Sequence, residues 1–248
     1  YMADHVVADV EAALSEAVGD DLTGQVILTT SHSHQSWGTW NAHRAFFLGG
    51  DRHQPEADAR LVAQIVETSL EAWEAREPVA LGVGWARDWD PDDRVYRDRR
   101  GENDALAIEG WTDTADWTGK DPWLHMLRVD RVDGTPLAMA FTFGIHGTAV
   151  GSDSPMVSVD APGHVELAVR AALGEPVVTM HVQGSGGDAT PAGAGARFER
   201  LEDVGRAATA PILALWAETP TSDAPLTLET WASHARQDLE AIRVTRGG

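Results

Sequence analysis

Gln25 to His34 reads QVILTTSHSH, an apolar, β-branched run followed at once by two histidines. Val26, Ile27 and Leu28 predict a short, fully buried strand, and Ser31 to His34 would then sit just past its end. That is where open α/β folds carry their chemistry. In extended backbone side chains alternate, so His32 and His34 would face one side and could reach one small site. Such a pair can bind a metal, or one imidazole can bind while the other moves protons. Standing alone, His-x-His is more often two surface histidines in a polar loop, so the weight falls on what surrounds it.

The chain has 248 residues, 43% of them hydrophobic, enough for one large core. Its 39 acids against 19 bases give a formal net charge of -20, which argues against a nucleic-acid or anionic-membrane surface. With no cysteine, a metal would have to sit among His, Asp, Glu, Tyr or water. No apolar run approaches the roughly 18 to 20 residues of a membrane span, and no signal peptide is visible. The acidic bias fits a secreted, periplasmic or salt-exposed protein. The start at Tyr1, running straight into a helix, suggests an internal segment of a longer product.

Helical spacing of Val6, Val7, Val10, Leu14 and Val18 predicts a helix from Asp4, its N-cap, to Gly19. A polar and aromatic loop follows SHSH. Glu56 to Ala75, with Leu61, Val62, Ile65, Val66, Leu70 and Trp73 on one face, should be a long helix covering the sheet. Val79 to Trp85 alternates as a strand, and from Ala86 to Asp121 periodicity disappears, as in a functional or disordered loop. Leu124 to Val129 and Leu137 to Phe143 predict two strands joined by Asp133-Gly134, the second apolar enough to be central. A helix over Pro162 to Leu173, opened by Asp160 and closed by Gly174, leads to a strand over Pro176 to Val182. Leu201 to Ala217 predicts a helix interrupted near Pro211, and Leu226 to Ala232 a late strand. Together these elements predict a single α/β layered domain over residues 1 to 248, a central mixed sheet flanked by helices with the site at strand ends.

Three strand ends would then present His32 with His34, His146 in GIHGT, and Asp188 with Thr190 in GSGGDATP. The glycine-rich loop lacks the GK[ST] ending of a P-loop and does not fit the dinucleotide fingerprint, so nucleotide binding is a weak reading. The turn before Pro191 explains Thr190 as well as catalysis does. Asp188 fits a buried acceptor that orients a ligand histidine better than it fits a ligand.

In that order, SHSH, IHGT, SVDAPG and QGSGGDATP resemble the amidase domain of the neutral (non-lysosomal) ceramidase family, zinc-dependent N-acyl amidohydrolases. The resemblance runs from about Val6 to Pro191. Three departures stand out. Thr190 replaces the family's serine, Ser158-Val159-Asp160 stands for its S-G-D segment, and Gln35 and Ser36 replace the serine and glycine after the histidine pair, which suggests a different substrate mouth.

The resemblance implies Zn2+ held by His32 and His146, His34 as the acid/base that protonates the departing amine, and Thr190 as the hydroxyl near the scissile carbonyl. It implies an arginine on the substrate's polar groups, with Arg97 and Arg99 as the candidates. Its remaining ligands, a glutamate and a tyrosine, would come from a C-terminal segment of the same product; failing that, Asp160 and Asp188 are the first places to look. The implied substrate is a small N-acyl amide or lipid, reached at a membrane surface, with Trp37, Trp40, Trp111, Trp117 and Trp123 available for an apolar mouth. From another class, the alternative is a degenerate homologue that binds a lipid or glycan without hydrolysing it, favoured by Thr190 and by the residues after His34.

Overall fold

In a computed structural model, the described residues are 4–36, 53–98, 120–151, 153–174 and 176–227. Their elements in order are α1 (Asp4–Val18), α2 (Pro55–Glu74), β1 (Val79–Arg87), β2 (Tyr96–Asp98), β3 (Trp123–Arg131), β4 (Pro136–Phe143), α3 (Asp160–Leu173), β5 (Val178–Gln183), β6 (Ala189–Pro191) and α4 (Phe198–Glu218). Four strands form a mixed sheet in the order β1-β3-β4-β5, antiparallel except for the parallel pair β4–β5, and β2 pairs with β6 in a small second sheet. The expected α/β layered architecture is present. Among the described residues no helix is long and apolar enough to cross a membrane.

The period-two geometry of the strands places Leu124, Met126, Met139, Phe141 and Phe143 on one buried face of the sheet. Val165 and Val169 of α3 and Leu201, Val204, Ala208, Ile212 and Leu215 of α4 complete that core. β4 is central, as its apolar run implied. Its connection through α3 to the parallel β5 is the crossover that parallel pairing requires.

Three expectations need correction. Residues 25–30 are not a strand: Ile27 is 81% exposed, and Val26 and Leu28 pack with α1 and α2. The same alternation that suits a strand also suits an extended segment lying on helices. α2 packs on α1, where Val6, Val10 and Leu14 are buried, and not over the sheet, because its stripe is taken up by that second small core. α4 runs through Pro211 without a break, its buried residues on both sides of the proline supplying the packing that offsets one lost backbone bond. Leu226 and Thr227 are irregular; the rest of the expected late strand lies outside the described residues, as do Trp37, Trp40, Trp111 and Trp117.

His181 of β5 is buried among Phe141 and Phe143, and its Nε2 lies 3.1 Å from the Phe143 carbonyl. Burial pushes its pKa down to about 4, against the smaller upward pull of that carbonyl. The unfolded chain, with an ordinary histidine near 6.5, therefore binds a proton that the folded chain refuses between these two values. Stability from this residue should be complete above about pH 6.5 and fall as pH drops toward 4, by an amount on the order of 3 kcal/mol. In urea unfolding across that window, His181→Gln should remove about one proton from the pH slope. A slope unchanged by the substitution would show that other groups set the acid limit.

Candidate metal centre

The site is built where two loops meet. Ser33 forms an isolated parallel bridge with Gly147, and the His34 N–H donates to the Gly147 carbonyl at 2.9 Å. Ser33 Oγ donates to the Ser158 carbonyl at 2.7 Å, the Ser158 N–H donates to the Gln35 carbonyl at 3.0 Å, and Gln35 Nε2 donates to the Gly151 carbonyl at 2.8 Å. Gln35 is buried by this clamp. It therefore holds the loops together. Ser36 is exposed.

His32, His34 and His146 converge across this seam. Each offers a ring nitrogen, and these atoms lie within 4.8 Å of one another. Ring centroids are 4.3 Å apart for His32 and His146, 4.8 Å for His34 and His146, and 5.2 Å for the pair in SHSH. The two histidines of that pair do share a site, but strand alternation is not the reason. His32 sits at φ +59°, a left-handed conformation uncommon outside glycine, and the backbone turns there.

His146 is buried, His32 half-buried and His34 exposed, so the group opens on one side. His146 Nδ1 lies 2.9 Å from the Gly186 carbonyl, which can only accept; Nδ1 therefore carries the proton and Nε2 presents a lone pair. Nε2 of His34 is 3.0 Å from that lone pair. Tetrahedral coordination at about 2.0–2.1 Å separates two ligand nitrogens by roughly 3.3–3.4 Å, close to the distance found. The three nitrogens could thus hold a metal ion. Burial, followed by its neighbours His146 and His34, lowers the His32 pKa, which favours the neutral, ligating form.

Asp160 and Asp188 do not join the group. Asp160 is fully buried at φ +48°, its carboxylate accepting the N–H groups of Ala149 (2.9 Å), Val150 (3.1 Å) and Ala161 (2.7 Å). It ties the loop after His146 to the start of α3. Asp188 is half-buried, and the acceptor at His146 Nδ1 is the Gly186 carbonyl. A backbone acceptor has no signature in sequence. What the glycines do show is close approach: a Cβ on Gly186 would fall 2.1 Å from Gln183 Nε2 and 3.1 Å from the Ile145 nitrogen.

Thr190 and Arg97 meet in the small sheet. The His146 N–H donates to the Ala189 carbonyl at 2.7 Å, so β6 passes directly beside the cluster. Arg97 is the register partner of Thr190, and directly opposed residues project on one face. Arg99 lies outside the described residues. β2 is anchored by Asp90, whose carboxylate accepts the N–H groups of Arg94, Val95 and Tyr96 and pairs with Lys120 at 2.7 Å.

No protein-family model matches the chain, and no curated protein matches it in sequence. Solved structures do. A crystal structure of neutral ceramidase from Pseudomonas aeruginosa superposes with a TM-score of 0.69 at 20% identity over 86% of this chain and 34% of that one. A ceramidase complexed with C2 gives 0.69 at 19% identity, again over 86% and 34%. The fold is ceramidase-like, and the chain spans about a third of the length of those structures.

Gly147 is where the seam is tightest. A Cβ there would lie 2.6 Å from the His32 carbonyl oxygen and 2.7 Å from the Ser33 Cα, both backbone atoms. Gly147→Ala should pry the loops apart and weaken any metal-ion binding by the cluster at least tenfold in a titration with divalent cations, while stability in urea unfolding falls by only about 1–3 kcal/mol. Unchanged metal affinity would mean that the seam does not hold the cluster.

Proposed function

We propose that the chain carries the active centre of a zinc-dependent amide hydrolase that cleaves an N-acyl amide, ceramide-like or another N-acyl amine. The observation that carries this reading is the convergence of His32, His34 and His146 within 4.8 Å on a ceramidase-like fold. His32 and His146 would hold the zinc. When bound, zinc supplies Lewis acidity toward the amide carbonyl and makes water a stronger acid.

The chain's own residues then have separable tasks. The Gly186 carbonyl fixes the tautomer of His146 and keeps its Nε2 lone pair on the site. His34, the most exposed of the three, receives a proton as water adds to the acyl carbon and delivers it to nitrogen as the C–N bond breaks. The Thr190 hydroxyl donates to the carbonyl oxygen, where negative charge develops. Arg97, across the β2–β6 ladder from Thr190, holds polar groups of the substrate on the same face. With His34 as the acid/base, a third protein ligand would be needed beside His32 and His146, since catalytic zinc ordinarily has three protein ligands and water.

His32→Ala should abolish both bound zinc and turnover of short and long N-acyl amides, whereas His34→Ala should keep most of the zinc and lose turnover. Equal metal loss in the two variants would mean that His34 is a ligand and that the proton passes elsewhere.

Thr190→Val should cut turnover by about two orders of magnitude and Thr190→Ser should be mild, because only valine removes the donated hydrogen bond. An unchanged rate in the valine variant would leave Thr190 a turn residue. Tight zinc with no amide turned over in the unaltered protein would favour the binding-only homologue.

A further inference from the structure

The sheet has a second face, opposite α3 and α4. Strand register sets three rows of side chains across it: Leu81, Val129, Ala138 and Val178; then Val83, Leu127, Ala140 and Met180; then Trp85, His125, Thr142 and Val182. None of the twelve is Asp, Glu, Lys or Arg, in a chain with 39 acids and 19 bases. Val83 is 68% exposed, Trp85 63%, Val178 60%, Met180 49% and Leu127 40%. Side chains of this size leave roughly 500 Å² open, near the upper end for a monomer's largest apolar patch and more than half of one partner's share in a standard interface.

Its relief is that of a trough. Ala138, Ala140 and Thr142 of the central β4 form a low floor, while Leu127 of β3 and Met180 of β5 rise on either side. Neighbouring strands are about 4.8 Å apart, so those walls stand roughly 10 Å from each other, the width of an α-helix. A second copy of the chain would bring trough against trough and leave a void. A helix fills it. Parallel sheets are ordinarily covered on both faces, the β4–β5 pair beneath this trough is parallel, and the solved structures of this fold contain much more polypeptide, the matched part being 34% of their length.

We propose that this face is a docking surface for one amphipathic helix, supplied by polypeptide additional to these 248 residues and lying along β4 with its apolar stripe on Ala138, Ala140 and Thr142. Its recognition is by shape and apolar contact, independent of the histidine cluster. Net charge of -20 selects a helix with neutral or basic flanks.

The chain has no cysteine, so Val178→Cys places a single environment-sensitive fluorophore on the wall beside the trough. The probe is a synthetic 18-residue Leu/Lys peptide of helical amphipathic pattern; a scrambled peptide of the same composition controls for charge. Expected is a saturable, one-to-one fluorescence shift with a gain in peptide helicity, absent with the scrambled peptide. Leu127→Glu and Met180→Glu, each at an exposed position and checked for unaltered circular dichroism, should each weaken it at least tenfold. A response to neutral phosphatidylcholine vesicles in place of the peptide, a shift driven by protein concentration alone, equal binding of the scrambled peptide, or no response would each overturn the proposal.

Discussion

The metal centre proposed for this molecule depends on a short backbone seam, the pairing of Ser33 and His34 with Gly147. His34 and His146 are separated by 112 positions in the chain, yet their Nε2 atoms lie 3.0 Å apart. Closing so long a loop has an entropic cost that one ring-to-ring contact could not offset. The cost is met by packing and by a set of bonds made by residues that do no chemistry: Ser33 and Gln35 from one side, Gly151 and Ser158 from the other. Gly147 lets the strands of the seam come together, and Asp160 holds the loop behind it by three backbone N–H groups.

This division of labour explains what was legible in the sequence and what was not. The sheet was legible because its strands carry either a period-two alternation, as in Val79 to Trp85, or a continuous apolar run, as in Leu137 to Phe143, and Asp133-Gly134 its own turn. The histidine cluster was legible too, since SHSH and IHGT each stand out as polar residues against apolar runs. Less legible was the way they are joined. Val26 to Leu28 has a strand's composition, but strand identity belongs to the pairing and not to the segment, and α1 and α2 take those side chains instead. Likewise α2 has a sheet-covering stripe, and nothing in a stripe says whether sheet or helix will bury it.

Roles assigned to carboxylates show a similar limit. Asp160 and Asp188 are the acids nearest to the motifs in sequence, and sequence nearness made them candidates for the metal. A fully buried carboxylate must be satisfied, and three backbone donors satisfy Asp160 completely enough to take it out of consideration. The orienting acceptor for His146 turned out to be a main-chain carbonyl, a group every residue possesses and no sequence pattern marks.

His34 is the residue on which the chemistry turns. Its contact with His146 at 3.0 Å has two incompatible meanings: a hydrogen bond between a protonated and an unprotonated nitrogen, or two ligand edges of one coordination sphere. In the first, His34 keeps a mobile proton and His146 a blocked lone pair; in the second, both Nε2 lone pairs point at a cation and neither Nε2 can donate. In the proposed hydrolysis His146 would be a ligand while His34 carries a proton, which would require His34 to turn away from His146 in the metal-bound state. His34 is the exposed member of the cluster, where His146 is buried and His32 half-buried at a constrained backbone position. That asymmetry in burial would let three similar side chains hold different roles.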